Sequence, residues 1–199
     1  MHKIIIATNN QGKVKDFETL FQPLGYEVLS LRDFEHVLEP EETGVTFEEN
    51  AVIKAEGVMK QLNYPVIADD SGLEVDALGG EPGVYSARYA GVEKDDEANL
   101  QKVLRKLEDV DDDLRTARYV CVLACAVPGK KTFTVRGECD GIIGKEKVGT
   151  EGFGYDPIFY VPNLGKTMAQ LTTEEKNKMS HRHIALEKLL EIWDEDIFQ

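Results

Sequence analysis

The chain has 199 residues, enough for one domain with a sizeable core or for two closely packed lobes. Hydrophobic residues at 42% and charged residues at 30% are ordinary for a soluble globular protein, and no run nears the ~18 apolar residues of a membrane span. A net charge of −14 argues against a general nucleic-acid binder, which would show a basic face. It does not exclude a nucleotide ligand, but the phosphate site would have to be built locally from a few lysines, backbone N–H groups and a metal ion.

The opening MHKIIIATNN has too short an apolar run for a secretory signal, so residues 3–8 read as a first strand and the cytoplasm is the expected compartment. The polar turn TNNQGK follows, and then Val14, Phe17, Leu20 or Phe21, and Leu24 recur at helical spacing until Gly25 closes the helix. Residues 32–45 read as an acidic loop. Thr46 and Glu49 form a capping-box pattern before a helix with Val52, Ala55, Met59 and Leu62 on one stripe. Pro65 ends that segment, and residues 66–68 form a strand leading into Asp69 and Asp70. Residues 71–91 are rich in Gly and read as an irregular loop.

Asp95 or Asp96 caps the next helix, with Leu100, Val103, Leu104 and Leu107 on it. DVDDD at 109–113 reads as a solvated turn. Residues 119–127 and 132–135 flank PGKK as a hairpin, and short strands are expected at 141–143 and 158–161 around the loop EGFGYDP. Thr172 and Glu175 repeat the capping-box pattern before a final helical region reaching Trp193. The order predicts a mixed α/β fold with an antiparallel component, in two lobes with a cleft between them. Cys121 and Cys125 would lie on one strand face roughly 13 Å apart at ~3.3 Å per residue, too far for a disulfide. With Cys139 they read as reduced core thiols.

Several segments carry chemistry. TNNQGK places a polar turn and Lys13 at a helix N-terminus, which suits either a triphosphate cradle or plain Asn capping; it is not a Walker loop. Asp69 and Asp70 would point to opposite faces if the strand continues, so they should do different jobs. A carboxylate there can hold Mg²⁺ or accept a proton from an attacking water, and Ser71-Gly72 permits close approach by a phosphate oxygen. A single carboxylate makes a poor Mg²⁺ site, and Glu41 or Glu42 of the acidic loop could supply a second. Phe153 and Tyr155 among glycines can stack on a base or plug the core. Lys176, His181 and Arg182 form a cationic cluster in an acidic protein. On one unbroken helix Lys176 and Arg182 would diverge by ~240°, so a break is expected, with Ser180 as the new N-cap.

Together ATNNQGK, EETGVTFEENA, ADDSGLEVDALGGEPGVYSARYAG, GFGYDPIF and EKNKMSHR, in this order and across nearly the whole chain, resemble the inosine triphosphate pyrophosphatase family. The resemblance implies an α/β fold with an elongated mixed β-sheet and flanking helices, residues 1–199 forming one domain of two lobes with the active-site cleft between them. It implies a Mg²⁺-dependent homodimer that converts ITP, dITP or XTP to the monophosphate and pyrophosphate, with no nucleic-acid or membrane partner. By motif, Thr8, Asn9, Asn10, Gln11, Gly12 and Lys13 would hold the triphosphate. Glu41 and Asp70 would bind Mg²⁺, with Asp70 also the proton acceptor. Ser71, Phe153, Gly154, Tyr155, Asp156, Lys176, His181 and Arg182 would complete the substrate pocket. Donors from His181, Arg182 or backbone N–H groups would suit the C6 oxygen of hypoxanthine or xanthine and leave adenine unpaired, a discrimination of ~10⁴-fold or more. The alternatives are a Maf-like nucleotide pyrophosphatase, against which SHR near the C-terminus argues, and a non-catalytic nucleotide sensor, against which the intact Asp70 and a second acid argue.

Overall fold

The computed structural model describes residues 2–91 and 94–193. The apolar start forms β1 (His2–Ile6), whose Ile4, Ile5 and Ile6 are wholly buried, each such side chain contributing about 1.5–3 kcal/mol. Asn10 then caps α1 (Gln11–Phe21), which buries Val14, Phe17 and Phe21 at the spacing of one helical face. A short 3₁₀ turn ends at Gly25, whose φ of +82° is a conformation that favours glycine, and the chain enters β2 (Tyr26–Ser30). β2 lies parallel to β1, with His2 opposite Tyr26 and Ile6 opposite Ser30.

The acidic loop leads to α2 (Phe47–Leu62), where the Thr46 hydroxyl accepts from Glu49 N at 3.1 Å while the Glu49 carboxylate accepts from Val45 N at 2.7 Å. The buried face of α2 is Phe47, Asn50, Ala51, Lys54, Ala55 and Val58, not the stripe through Val52 and Met59. Apolar residues stand at both 51–52 and 58–59, so hydrophobicity alone does not phase this helix.

β3 (Val66–Val75) pairs in parallel with β1 through Ile5–Val66 and Ile6–Ile67. It corrects the expectation of a three-residue strand followed by a loop: Leu73 and Val75 are wholly buried and carry the strand on, so Asp69 and Asp70 sit in mid-strand. Asp95 caps α3 (Asp96–Lys106) through Ala98 N at 3.0 Å. β4 (Thr116–Ala126) and β5 (Phe133–Ile143) are sheet neighbours joined by the PGKK turn. β5 merges the two strands expected at 132–135 and 141–143. Its Gly141 marks close packing: a Cβ there would meet Phe159 at 2.4 Å.

β6 (Phe159–Val161) and β7 (Lys166–Thr167) complete a mixed seven-stranded sheet of order β2-β1-β3-β4-β5-β6-β7, with β5, β6 and β7 antiparallel in turn. β2 and β7 are additions to the elements read from the sequence. The full capping box of Thr172 and Glu175 opens α4 (Thr173–Asn177), and α5 (His181–Glu191) follows a break. All three cysteines are buried, and none forms a disulfide. Among the described residues no helix is long and apolar enough to cross a membrane.

The chain divides into two compact units. The first holds residues through Asp70, Val122–Arg136 and the chain from Ala185 onward. In it the buried isoleucines of β1 share a core with Phe17 and Phe21, and Trp193 packs on Phe21 and Tyr26 with ring centroids 4.5 and 5.5 Å away. The second holds Ser71–Cys121 and Gly137–Ile184. Its core gathers Leu73, Leu100, Leu107, Tyr119, Tyr155, Ile158 and Phe159.

Candidate active site

In the first unit the neighbouring aspartates of β3 take different partners, as alternation along a strand requires. Asp69, nearly wholly buried, accepts from Lys13 Nζ at 2.7 Å. Asp70 faces Lys54, whose Nζ lies 3.5 Å from Asp70 Oδ1 and 2.8 Å from Glu42 Oε1. Burial pushes the Asp70 carboxyl above its ordinary value; Lys54 opposes that, Glu42 adds to it, and the nearby Asn50 amide favours the ionised form. Burial alone would lower the Lys54 pKa, but Asp70, Asp69 and Glu42 together raise it, so the amine stays charged. Removing the Lys54 charge from this buried group would cost about 3–5 kcal/mol, because two carboxylates would face each other without a cation.

Glu42, not Glu41, is therefore the loop acid beside Asp70; Glu41 is exposed. Asn50, wholly buried, anchors the loop: its Oδ1 accepts from Gly44 N at 2.8 Å. A Cβ at Gly44 would meet Asn50 Oδ1 at 2.7 Å and Glu49 Cβ at 2.6 Å, so only glycine lets the loop approach this closely. Two carboxylates around one cation are a donor set that suits a hard divalent ion, since Mg²⁺ uses one or two carboxylates and takes its other ligands from water and phosphate. Among the described residues no group of three or more His, Cys, Asp or Glu side chains that could hold a metal ion stands together.

At the start of α1, Asn10 Oδ1 accepts from Gly12 N at 2.9 Å and Lys13 N at 3.3 Å, and Asn10 N donates to the buried Thr8 hydroxyl at 3.2 Å. Asn10 is thus the helix cap. Asn9, Gln11 and Gly12 are exposed around it, and Asn9 Nδ2 donates to Glu39 Oε2 at 3.4 Å. The positive end of an eleven-residue helix, with Lys13 beside it, faces solvent here.

In the second unit the loop at 152–156 separates its two aromatics. Phe153 is 76% exposed, whereas Tyr155 is 5% exposed and donates its hydroxyl to Ser86 O at 2.7 Å. Of the two uses weighed for these rings, the Tyr155 side chain takes the core and Phe153 takes solvent. Gly154 N donates to Asp96 Oδ2 at 3.0 Å. Asp156 Oδ2 accepts from Lys176 Nζ at 2.9 Å and from Phe153 N at 3.3 Å. The break between α4 and α5 falls where the divergence argument requires it: Ser180 Oγ accepts from His183 N at 3.2 Å, so Ser180 acts as a fresh N-cap. Arg182 Nη2 reaches Ser71 Oγ at 3.4 Å, and His181 stacks on Tyr119.

Three residues at these clusters escape motif reading. Lys54 had a detectable signal, a lysine on a helical face otherwise lined by Phe47, Ala51, Ala55 and Val58. Asn50 shares that face. Tyr119 lies in an apolar strand and looks like any core aromatic.

The first unit sets buried strand carboxylates and their facing lysines near a solvent-facing helix N-terminus, and the second unit carries cationic side chains at a helix break; each is a group of charges suited to an anionic ligand on a mixed α/β scaffold. The Ham1 family model matches residues 4–192, and the chain belongs to that family. It is 57% identical over 189 residues to a Bacillus subtilis protein named dITP/XTP pyrophosphatase, covering 95% of this chain and 96% of that one. Among solved structures, the Staphylococcus aureus Ham1 protein superposes with a TM-score of 0.89 at 52% identity, over 94% of this chain and 95% of that one. A HAM1 protein from Coxiella burnetii gives a TM-score of 0.92 at 43% identity, over 96% and 98%.

Proposed function

We propose that this protein hydrolyses non-canonical purine nucleoside triphosphates, dITP, XTP and ITP, to the monophosphate and pyrophosphate, cleansing the nucleotide pool. Family membership and the names of close relatives support the substrate class. The observation that carries the chemistry is the buried Asp70 beside Glu42 and Lys54 on β3.

In this reading Asp70 accepts the proton of the attacking water, and its raised pKa brings it nearer the working range of a general base. Lys13 and the N-terminus of α1 meet the negative charge that develops on the leaving pyrophosphate, with Thr8, Asn9, Asn10, Gln11 and Gly12 shaping that turn. Glu42 and Asp70 would hold Mg²⁺, which when bound supplies charge neutralisation for the polyphosphate. The family resemblance assigns Glu41 to the same ion; it is exposed on that loop, while Glu42 is the acid that stands beside Lys54 and Asp70. Ser71, Gly154, Asp156, Lys176, His181 and Arg182 orient the nucleotide, and Phe153 offers a face for the base. Tyr155 acts through its backbone and its place in the core. Donors at His181 and Arg182 suit a C6 oxygen and leave adenine unpaired. A homodimer, a cytoplasmic location and a single domain of two lobes belong to the same reading, on the family resemblance.

The test is pyrophosphate release from dITP, XTP, ITP, GTP and ATP with and without Mg²⁺. Turnover of the first three well above ATP, and only with the ion, is expected. Equal or absent turnover of all five would overturn the reading.

A further inference from the structure

We propose that Tyr119 of β4 is a positioning residue that holds two nucleotide-recognition segments in place, the Asp156–Lys176 pair and the start of α5 at His181. This rests on the reading above, in which those segments take the nucleotide. The Tyr119 hydroxyl donates to Asp156 Oδ1 at 3.0 Å, while Asp156 Oδ2 accepts from Lys176 and from Phe153 N. The phenol ring stacks on the His181 imidazole, with centroids 5.1 Å apart and 21° between planes. Its ring also packs on Phe159 with centroids 4.4 Å apart. One side chain thus touches both the loop at 152–156 and the start of α5.

A core-filling role alone does not account for the hydroxyl. Tyr119 belongs to an apolar cluster with Leu73, Leu100 and Phe159, where phenylalanine would fill the same volume without a desolvated O–H. Burial keeps the phenol neutral, well above its ordinary pKa, so it serves as a donor. With Oδ1 anchored, the Asp156 carboxylate cannot turn, and Lys176 is held at a fixed place. There is no slack around the pair: a Cβ at Gly152 would meet Asp156 Oδ2 at 2.0 Å and Lys176 Nζ at 2.4 Å.

The experiment compares the full-length wild type with Tyr119→Phe and Tyr119→Leu on XTP, dITP and GTP in Mg²⁺, alongside thermal unfolding. Tyr119→Phe is expected to raise KM for XTP about tenfold, the worth of one hydrogen bond to a charged acceptor, with kcat within about twofold. It should also lower the XTP-over-GTP preference. Tyr119→Leu, which removes the stack as well, should lower that preference further. If both variants only lower the unfolding midpoint and keep wild-type KM and preference below it, Tyr119 is a core residue and the proposal fails. A wild type that turns over none of these nucleotides removes the underlying reading and this inference with it.

Discussion

The carboxylates of β3 and the loop at 152–156 are built on opposite plans. Asp69 and Asp70 sit in mid-strand, buried, each facing a lysine from a different helix, so their charges are matched side chain by side chain. The loop turns through Gly152 and Gly154, both at positive φ, and sends Phe153 into solvent and Tyr155, two residues on, into the core. Groups that must keep a charged geometry are held by regular elements, where neighbours lock each rotamer. Groups that present a face to a ligand ride on a turn, where glycine permits directions that a strand or helix forbids.

The largest expected effect breaks the first plan. Asp70→Asn is nearly isosteric and should lower kcat for pyrophosphate release by about 10²–10⁴-fold, with an unchanged circular dichroism spectrum. A rate close to wild type would move the base off β3 and dissolve the contrast. A smaller effect separates the loop acids. Glu42→Gln should raise the Mg²⁺ concentration for half-maximal rate by about tenfold or more, whereas Glu41→Gln should leave it unchanged. The reverse order would return the metal to Glu41. The mildest change belongs to the second plan. Phe153→Ala should raise KM for XTP by about fivefold or more through lost stacking on the base. Its unfolding free energy should stay within about 0.5 kcal/mol, because the ring is exposed. A marked drop in thermal midpoint would show that Phe153 packs rather than presents.

Much of this architecture was legible in the residues. The caps at Thr46, Asp95 and Thr172 and the fresh N-cap at Ser180 rest on contacts within a few positions of sequence and stand as expected, whereas α1 stops at Phe21 and Gly25 closes the 3₁₀ turn that follows. The length of β3 was not legible, because two adjacent aspartates look like the end of a strand until Lys13 and Lys54 are placed beside them. The choice between Glu41 and Glu42 was equally closed to spacing: both are neighbouring acids of one irregular loop, and only the fold sets Glu42 beside Lys54. Phe153 and Tyr155 carry the same kind of side chain two residues apart, and what divides them is Ser86, far away in the chain.

Helix caps and motif content were therefore legible in the sequence, since capping acts over a turn or two of chain, and the class of ligand followed from the family resemblance that those motifs carry. Tertiary structure decided which charge meets which. Lys54 acquires its meaning from Glu42 and Asp70, and Tyr119 from Asp156 and His181. The physical reason is range: the cost of burying a charge or a hydroxyl is offset only by a partner within a few ångströms, and folding brings that partner from a distant part of the chain.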